Sequence, residues 1–499
     1  MSIEFSKKLT PNETQIPGVV LYDLPVHGDN RGWFKENWQR EKMVALGLPD
    51  FRPVQNNISF NEKAGTTRGI HAEPWDKFIS VATGRIFGAW VDLREGPTFG
   101  AVFTAELDPS QAIFIPRGVG NAFQTLEDNT AYTYLVTDHW SAEAQGQYTF
   151  LNLADETAAI AWPIPLEQAE LSDKDKAHPR LADVTPMPPK KTLVLGADGQ
   201  LGKALRKLYD GDASVEFAGR SDFDLSNEDA LVARNWKNYS AIINAAAYTA
   251  VDTAETPEGR RTAWAINVTA VARLAKVAAA HGVTLVHISS DYVFDGTEAL
   301  HDEDEPVSPL GVYGQTKAAG DAVVSVVPRH YIVRTSWVIG DGNNFVRTMA
   351  SLAARGIAPS VVNDQIGRLS FTEDIAAGIK HLLDSGADYG VYNLTNDGDP
   401  QSWAHIAADV YELAGQQRSS VTGVSTTEYF RGKSAAPRPH NSQLDLSKIR
   451  SVGFTPPLAS DRIIGYMRSH GVAGAGLPVT EPANQSHQAN DLNIDLASE

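Results

Sequence analysis

Three side chains in the second half of the sequence have the types and spacing for hydride chemistry at a carbonyl. Tyr313 and Lys317, in Tyr313-Gly-Gln-Thr-Lys317, stand four apart, so on a helix they share a face. A free tyrosine titrates near pH ~10, and a nearby cation favours its phenolate and so makes the phenol a better proton donor. Such a tyrosine protonates the oxygen that forms as hydride reaches a carbonyl carbon. Ser290, beside Ser289 near the end of the run LVHISSDYVFDG, offers a hydroxyl to hydrogen-bond that carbonyl. A Tyr and a Lys at this spacing are common on surface helices that do no chemistry. Their order along the chain sets these apart: a Gly-rich loop, a strand-end serine, then Tyr and Lys on a later helix.

The Gly-rich loop follows the apolar run TLVLG and reads Gly196-Ala-Asp198-Gly199-Gln200-Leu201-Gly202 before an apparent helix. Glycines here permit a tight turn, close helix packing and a pyrophosphate seated on the helix N-terminus. Strand before and helix after is the context this fingerprint requires. Past the next apolar run, SVEFAG, stand Arg220 and Ser221, where an NAD-selective site usually carries an acidic residue for the ribose hydroxyl. An arginine at that point suits a 2′-phosphate, so NADPH is the expected cofactor and NADH the alternative. The bland reading of Arg220 is a solvated loop side chain.

The first half offers His71, in Thr66-Thr-Arg-Gly-Ile-His71, followed by Lys77. A lone histidine in a β-barrel is commonly structural, and periodicity alone leaves His71 there. His27, His71 and His139 are sparse and show no carboxylate at ligand spacing, so no metal site is expected.

Two textures surround these residues. Val19–Trp162 consists of short alternating apolar runs (KFISVATG, RIFGAWVDL, QAIFIPRG, NTAYTYLVTD) punctuated by turn residues, the pattern of an all-β barrel or sandwich. From Thr192 onward, apolar runs alternate with Ala-rich helical stretches, as in βα units around a parallel sheet. Between them Pro186, Pro188 and Pro189 suggest a stiff linker over 183–190. The expected domains are 1–182 and 191–472, with a polar, disordered tail over 473–499. With 499 residues and a net charge of −18, the chain has room for two cores and no basic surface for nucleic acid or anionic membrane. It has no cysteine, which excludes disulfides and thiolate chemistry. No apolar N-terminal leader and no long apolar run is visible, so a cytoplasmic location is expected.

The second half resembles dTDP-4-dehydrorhamnose reductase, of the extended short-chain dehydrogenase family, through GADGQLG, IINAAAYTAVDTAE, ISSDYVFDG, YGQTK, VRTSWVIG, NNFVRTMA, VVNDQIGR and RPHNSQL. The resemblance implies a Rossmann-type α/β fold and Ser290, Tyr313 and Lys317 as the catalytic trio. It implies that Tyr292, Trp337 and Asn344 line the sugar-nucleotide site and that Ala246 and Ala247 border the cofactor. Ser290 stands where the family usually has Thr, and Leu369 where it usually has Pro.

The first half resembles dTDP-4-dehydrorhamnose 3,5-epimerase, a metal-free, cupin-like jelly-roll barrel, through DNRGWFKE, VQNNIS, TRGIH, GRIFGAWVDLREGPTFG, QAIFIPRG, AYTYLVTDHW, IAWPIP and LSDKD. This implies His71 as the base at C3 and C5, Asp155 as the carboxylate that orients it, and Lys77 as the stabiliser of the enolate oxygen. It further implies Tyr134 as the opposite-face acid, with Arg31, Glu36, Asn57 and Arg68 as substrate contacts. Asn121 replaces a family histidine, His139 and Trp140 stand where tyrosines are usual, and Ala-Glu-Pro after His71 lacks a family glutamine. Such epimerases pair through their barrels, so a homodimer is expected. Together the halves imply a bifunctional enzyme that makes dTDP-L-rhamnose from dTDP-4-dehydro-6-deoxy-D-glucose. The alternatives are a reductase with a non-catalytic or single-carbon barrel, and a non-catalytic cofactor-binding regulatory protein.

Overall fold

The computed structural model describes residues 3, 5–141 and 144–471. The segment expected as a disordered tail, 473–499, lies outside the described residues. The chain divides into two compact units, 1–189 and 190–499.

The strands of the first unit all pair antiparallel. Its strands are β1 (Thr10–Glu13), β2 (Val20–Asp23), β3 (Val26–Asp29), β4 (Gly32–Lys35), β5 (Gln55–Asn61), β6 (Thr67–Ala72) and β7 (Lys77–Thr83). They continue as β8 (Ile86–Asp92), β9 (Val102–Leu107), β10 (Gln111–Ile115), β11 (Val119–Thr125), β12 (Thr130–Val136) and β13 (Thr149–Phe150). One sheet runs β1-β2-β10-β7-β12-β5 and a second runs β13-β6-β11-β8-β9, while β3 and β4 form a separate hairpin. Ile79, Val81, Ile86, Trp90, Ile113 and Phe123 pack in one buried cluster that draws on both sheets. Such closure removes the apolar side chains of this cluster from water, at ~25 cal/mol per Å² of apolar area.

Strand β5, at the end of the first sheet, inverts the usual rule. Its even-numbered residues Ile58 and Phe60 are 69% and 57% exposed, while Asn57 and Ser59 are half-buried. A strand that turns polar groups inward and apolar groups outward needs a polar interior to face.

The stretch expected as a stiff linker is instead part of the first unit. Met187 pairs through its backbone with Leu93 and Glu95, and Val184 and Met187 are buried with Leu93 and Leu153. Proline content announced an irregular segment, but Val184 before the prolines and Met187 among them anchor it.

The second unit is built on a parallel sheet: β14 (Lys191–Leu195), β15 (Val215–Ala218), β16 (Tyr239–Asn244), β17 (Thr284–Ser290), β18 (His330–Thr335) and the strand Gly390–Asn393. Their spatial order, β15-β14-β16-β17-β18 and then Gly390–Asn393, places β14 between its two successors. Open parallel sheets bind ligands beyond the carboxyl ends of the strands where the order reverses, here between β14 and β16. The helical run Pro257–His281 is long and apolar enough by length and composition to cross a membrane. It nevertheless buries Val271, Leu274, Ala275 and Ala278 against Leu193, Ile242 and Leu285 of the sheet. A π-helical turn at Ala265–Ala270 interrupts it and turns Asn267 into the interior.

Candidate active sites

In the first unit a cavity of about 590 Å³ opens between the sheets, lined among others by Arg68, His71, Lys77, Tyr134, Asp175 and His178. His71 lies on β6, and its Nε2 is 2.9 Å from Asp175 Oδ1. Asp175 sits in the short helix Asp173–Lys176, where Ser172 caps the helix by accepting from the Asp175 N–H at 3.1 Å. Burial alone pushes the Asp175 carboxyl up, but the hydrogen bond and charge of His71, with the Gly69 N–H, hold it below the usual carboxylate range. Because Asp175 holds Nε2, the Nδ1 nitrogen is the one left to accept a proton in the neutral ring.

Asp155, the carboxylate expected beside His71, is elsewhere. It accepts from the backbone N–H groups of Thr157 at 3.0 Å, Ala158 at 2.7 Å and Leu181 at 2.7 Å. It fixes a loop, and the partner of His71 comes from twenty residues further on.

Lys77 on β7 is buried, ion-paired with Glu73, and its Nζ lies 5.2 Å from the centre of the Tyr134 ring. Burial and the charge of Glu73 push the Tyr134 phenol up, which keeps it protonated. Asn57 hydrogen-bonds that phenol. Arg68 lines the cavity and donates to Asn61 at 3.2 Å. Arg31 and Glu36 do not line it: Arg31 stands on the β3–β4 hairpin paired with Asp29 at 2.5 Å, and Glu36 pairs with Lys42 at 2.5 Å. Asn121 accepts from Trp90 Nε1 at 3.0 Å and donates to the Tyr132 hydroxyl at 3.0 Å, so it works as a brace of the cavity wall. His139 and Trp140 are exposed and away from the cavity lining.

In the second unit, β17 ends at Ser290, whose Oγ accepts from the Tyr292 N–H at 3.2 Å and donates to Asp291 Oδ1 at 3.0 Å. Tyr313 and Lys317 lie in the helix Val312–Val324. The Glu255 carboxylate accepts from the Val312 N–H at 2.7 Å and caps that helix where Gly311 has no side chain to do so. Asn267 donates to Thr316 Oγ1 at 3.0 Å from the π-turn and braces the same helix. Lys317 is 2% exposed and donates to the Ile288 carbonyl at 2.6 Å. Burial lowers its amine to about 8, against the opposing charge of Asp321. The Tyr292 ring stands edge-on to Tyr313, 5.6 Å between centres.

The loop after β14 has the shape of a phosphate cradle. Gly196 has φ +75°, and a Cβ there would meet the Ala246 N at 2.7 Å; one on Gly202 would meet the Gly196 carbonyl at 2.2 Å. The helix Gln200–Leu208 begins at Gly199 with no side-chain cap, which leaves its first N–H groups to a ligand. A depression of about 270 Å³ is lined by Gly196, Asp198, Gly199, Arg220, Ala246 and Ala247. Arg220 stands at its edge, 3.8 Å from Asp224. Of the other loop residues, Leu201 packs into the core, Gln200 accepts from the Gly340 N–H at 2.8 Å, and Ser221 is exposed beside Arg220.

Trp337 and Asn344, expected at the sugar-nucleotide site, each make structural contacts. Trp337 is buried and stacked on Trp403 at 3.8 Å. Asn344 caps the helix Phe345–Ala354 by accepting from the Arg347 N–H at 3.0 Å, and its amide donates to the Gly340 carbonyl at 2.8 Å and to the Tyr466 hydroxyl at 2.7 Å.

Residues 13–183 match the family model for dTDP-4-dehydrorhamnose 3,5-epimerase, and residues 190–463 match the model for the RmlD substrate binding domain. The chain is 50% identical over 192 residues to an RmlC homolog of Streptococcus pyogenes serotype M6, covering 37% of this chain and 96% of that protein. It is 36% identical over 298 residues to a dTDP-4-dehydrorhamnose reductase of Aggregatibacter actinomycetemcomitans, covering 56% of this chain and 99% of that one. Among solved structures, a dTDP-4-dehydrorhamnose reductase of Bacillus anthracis in complex with NADP aligns with TM-score 0.52 and 32% identity, over 56% of this chain and 99% of that one.

The two carboxylates are separable. Replacing Asp155 with Ala strands three backbone donors, and the barrel should lose about 1–3 kcal/mol of stability in urea, while the His71 ring signals in NMR stay in place. Asp175→Asn should move those ring signals. The reverse assignment, His71 signals that follow Asp155 and ignore Asp175, would contradict this geometry.

Proposed function

The chain belongs to the dTDP-4-dehydrorhamnose 3,5-epimerase family through residues 13–183 and to the dTDP-4-dehydrorhamnose reductase family through residues 190–463, and we propose on that premise that one polypeptide carries out both steps. The first unit epimerises dTDP-4-dehydro-6-deoxy-D-glucose at C3 and C5, and the second reduces the C4 ketone to give dTDP-L-rhamnose. The observation that carries this reading is that His71, Asp175, Lys77 and Tyr134 line one cavity, while Lys317, on the helix of Tyr313, reaches the Ile288 carbonyl of the strand that ends at Ser290. The folds are then a cupin-like jelly roll and a Rossmann-type extended short-chain dehydrogenase.

In the barrel, a C–H next to the C4 ketone loses its proton to the His71 imidazole, whose charge Asp175 stabilises. Among the described residues, Lys77 carries the one buried cationic side chain of the cavity wall, and it is the group to face the enolate oxygen. Tyr134, kept protonated, returns a proton from the other face. Repetition at the second carbon completes the inversion of both centres.

In the reductase, the cradle at Gly196, the uncapped helix and Arg220 fit a phosphorylated dinucleotide, NADPH by preference. When bound, NADPH supplies the hydride to C4. Tyr313 gives its phenolic proton to the C4 oxygen, Lys317 favours the resulting phenolate, and the Ser290 hydroxyl holds the carbonyl in line. Asp291, buried, is pushed up to about 6 by burial against the hydrogen bonds of Ser442 and Ser290, so near neutrality its carboxylate accepts from Ser290 and keeps that hydroxyl oriented.

We further read the chain as a cytoplasmic homodimer. Val54 just before β5, Ile58 and Phe60 on it, and Trp33 and Phe34 on the β3–β4 hairpin are exposed. Exposed apolar surface of this kind marks a protein contact. A second barrel seated there accounts for the placement of Arg31 and Glu36 outside the cavity of their own chain, on a surface that can serve the partner's.

Two outcomes are expected. Purified chain given dTDP-4-dehydro-6-deoxy-D-glucose and NADPH, with no other epimerase, should oxidise NADPH and form dTDP-L-rhamnose; His71→Ala and Tyr313→Phe should each lower the rate at least a hundredfold. Recovery of His71→Ala by an added epimerase assigns the lesion to the barrel, and turnover unaffected by His71→Ala contradicts the proposal. The reductase step should also fall as pH rises through about 8, where Lys317 loses its charge. The sign for stability is opposite. The folded amine titrates near 8 and the unfolded one near its ordinary 10.5, so the unfolded chain binds more protons in that window and stability gains as pH rises across it. A reduction rate that stays level to pH 10 would remove Lys317 from the titration.

A further inference from the structure

His71 and Asp175 have a third neighbour that the catalytic scheme does not use. His178, three residues beyond Asp175, is stacked on Phe150 at 4.7 Å and stands edge-on to His71 at 5.3 Å between ring centres. Its Nε2 is 3.9 Å from Asp175 Oδ1, the same oxygen that His71 Nε2 meets at 2.9 Å. The ligating atoms of His71, Asp175 and His178 all lie within 4.8 Å of one another. The three residues share the wall of the 590 Å³ cavity, so a fourth position beside them faces open space.

Two imidazoles and a carboxylate with a fourth position open form a donor set suited to zinc. At metal–ligand lengths of about 2.0–2.2 Å, donors around a tetrahedral ion stand ~3.3–3.5 Å apart. The separations of 2.9 and 3.9 Å from the shared carboxylate oxygen fall on either side of that value, and the donors of all three residues lie within 4.8 Å of one another, so side-chain rotation alone can draw them around one ion. The rings are held for it: His178 by Phe150, and His71 by Phe150 edge-on at 5.5 Å.

We propose that His71, Asp175 and His178 bind a divalent first-row transition ion, Zn²⁺ foremost, and that the bound ion reversibly switches off the barrel. The ion takes the Nε2 lone pair, so the neutral ring keeps its one proton on Nδ1, the nitrogen that otherwise accepts from sugar carbon, and the ring can no longer act as a base. The site itself stands on geometry alone; the inhibition rests on the reading of His71 as the base.

The test is calorimetric titration of the full chain with Zn²⁺ alone, in parallel with zinc titration of the solvent exchange of C–H protons in dTDP-4-dehydro-6-deoxy-D-glucose, without nicotinamide cofactor. The parent should bind one ion per chain in the micromolar range at a site that His178→Phe and Asp175→Asn each weaken at least tenfold, and zinc at that concentration should stop proton exchange. His178→Phe keeps the stacking on Phe150, and His178→Gln serves if the phenylalanine does not fold. Zinc affinity equal in parent, His178→Phe and His178→Gln would overturn the site, as would absence of binding below millimolar zinc. Binding that is lost in the His178 variants while zinc leaves proton exchange untouched would keep the site and overturn His71 as the base, so the two failures are told apart.

Discussion

A charged side chain taken out of water stays charged only if the protein supplies partners for it. Both sites of this chain are organised around that constraint. In the barrel, Asp175 is buried and remains ionised because the His71 ring meets one of its oxygens at 2.9 Å and the Gly69 N–H faces the other. In the second unit, Lys317 is buried beneath the helix Val312–Val324, donates to the Ile288 carbonyl, and feels Asp321, itself paired with Arg334 at 3.2 Å. Each pairing fixes a proton-transfer group in position and in protonation state. The surrounding elements can be understood as what is needed to hold these pairs: a capped helix turn for Asp175, and Glu255 with Asn267 for the helix of Tyr313 and Lys317.

The same logic explains why the two units differ so much in texture. Carbon-acid chemistry needs a polar pocket inside an apolar shell, and antiparallel strands supply it by alternation: β5 turns Asn57 and Ser59 inward while Ile58 and Phe60 face out. Dinucleotide chemistry needs a helix N-terminus against a tight turn, and the parallel sheet supplies it beyond β14. Epimerisation gives an unstable ketone and reduction consumes it. Joining the two catalysts in one chain raises the local concentration of that ketone at the second site and draws the first equilibrium forward.

Much of this was legible in residue order. The Gly-rich loop, Ser290 and the Tyr313–Lys317 pair lie in or next to elements whose periods are plain in the sequence, and these local signals need no long-range contact to be read. Asp175 was not legible. It reaches His71 across 104 residues of chain, from a four-residue helix with no periodic signature, whereas Asp155 sits in a loop of similar appearance. His178 was missed for the same reason, and only the folded cavity shows it beside His71. Asn267 had a weak signal, a lone amide within an Ala-rich helical run, and Glu255 another, an acidic residue just before a proline-started helix.

The measurement that bears most directly on the account is mass spectrometry of dTDP-4-dehydro-6-deoxy-D-glucose incubated with the chain in D₂O without nicotinamide cofactor. With a complete barrel catalyst, the sugar gains two deuterons, one at C3 and one at C5, before any reduction takes place. One deuteron would show a catalyst for a single carbon. None, from a chain that still reduces the independently epimerised ketone, would mean that the His71–Asp175 pair does no chemistry and would contradict the account.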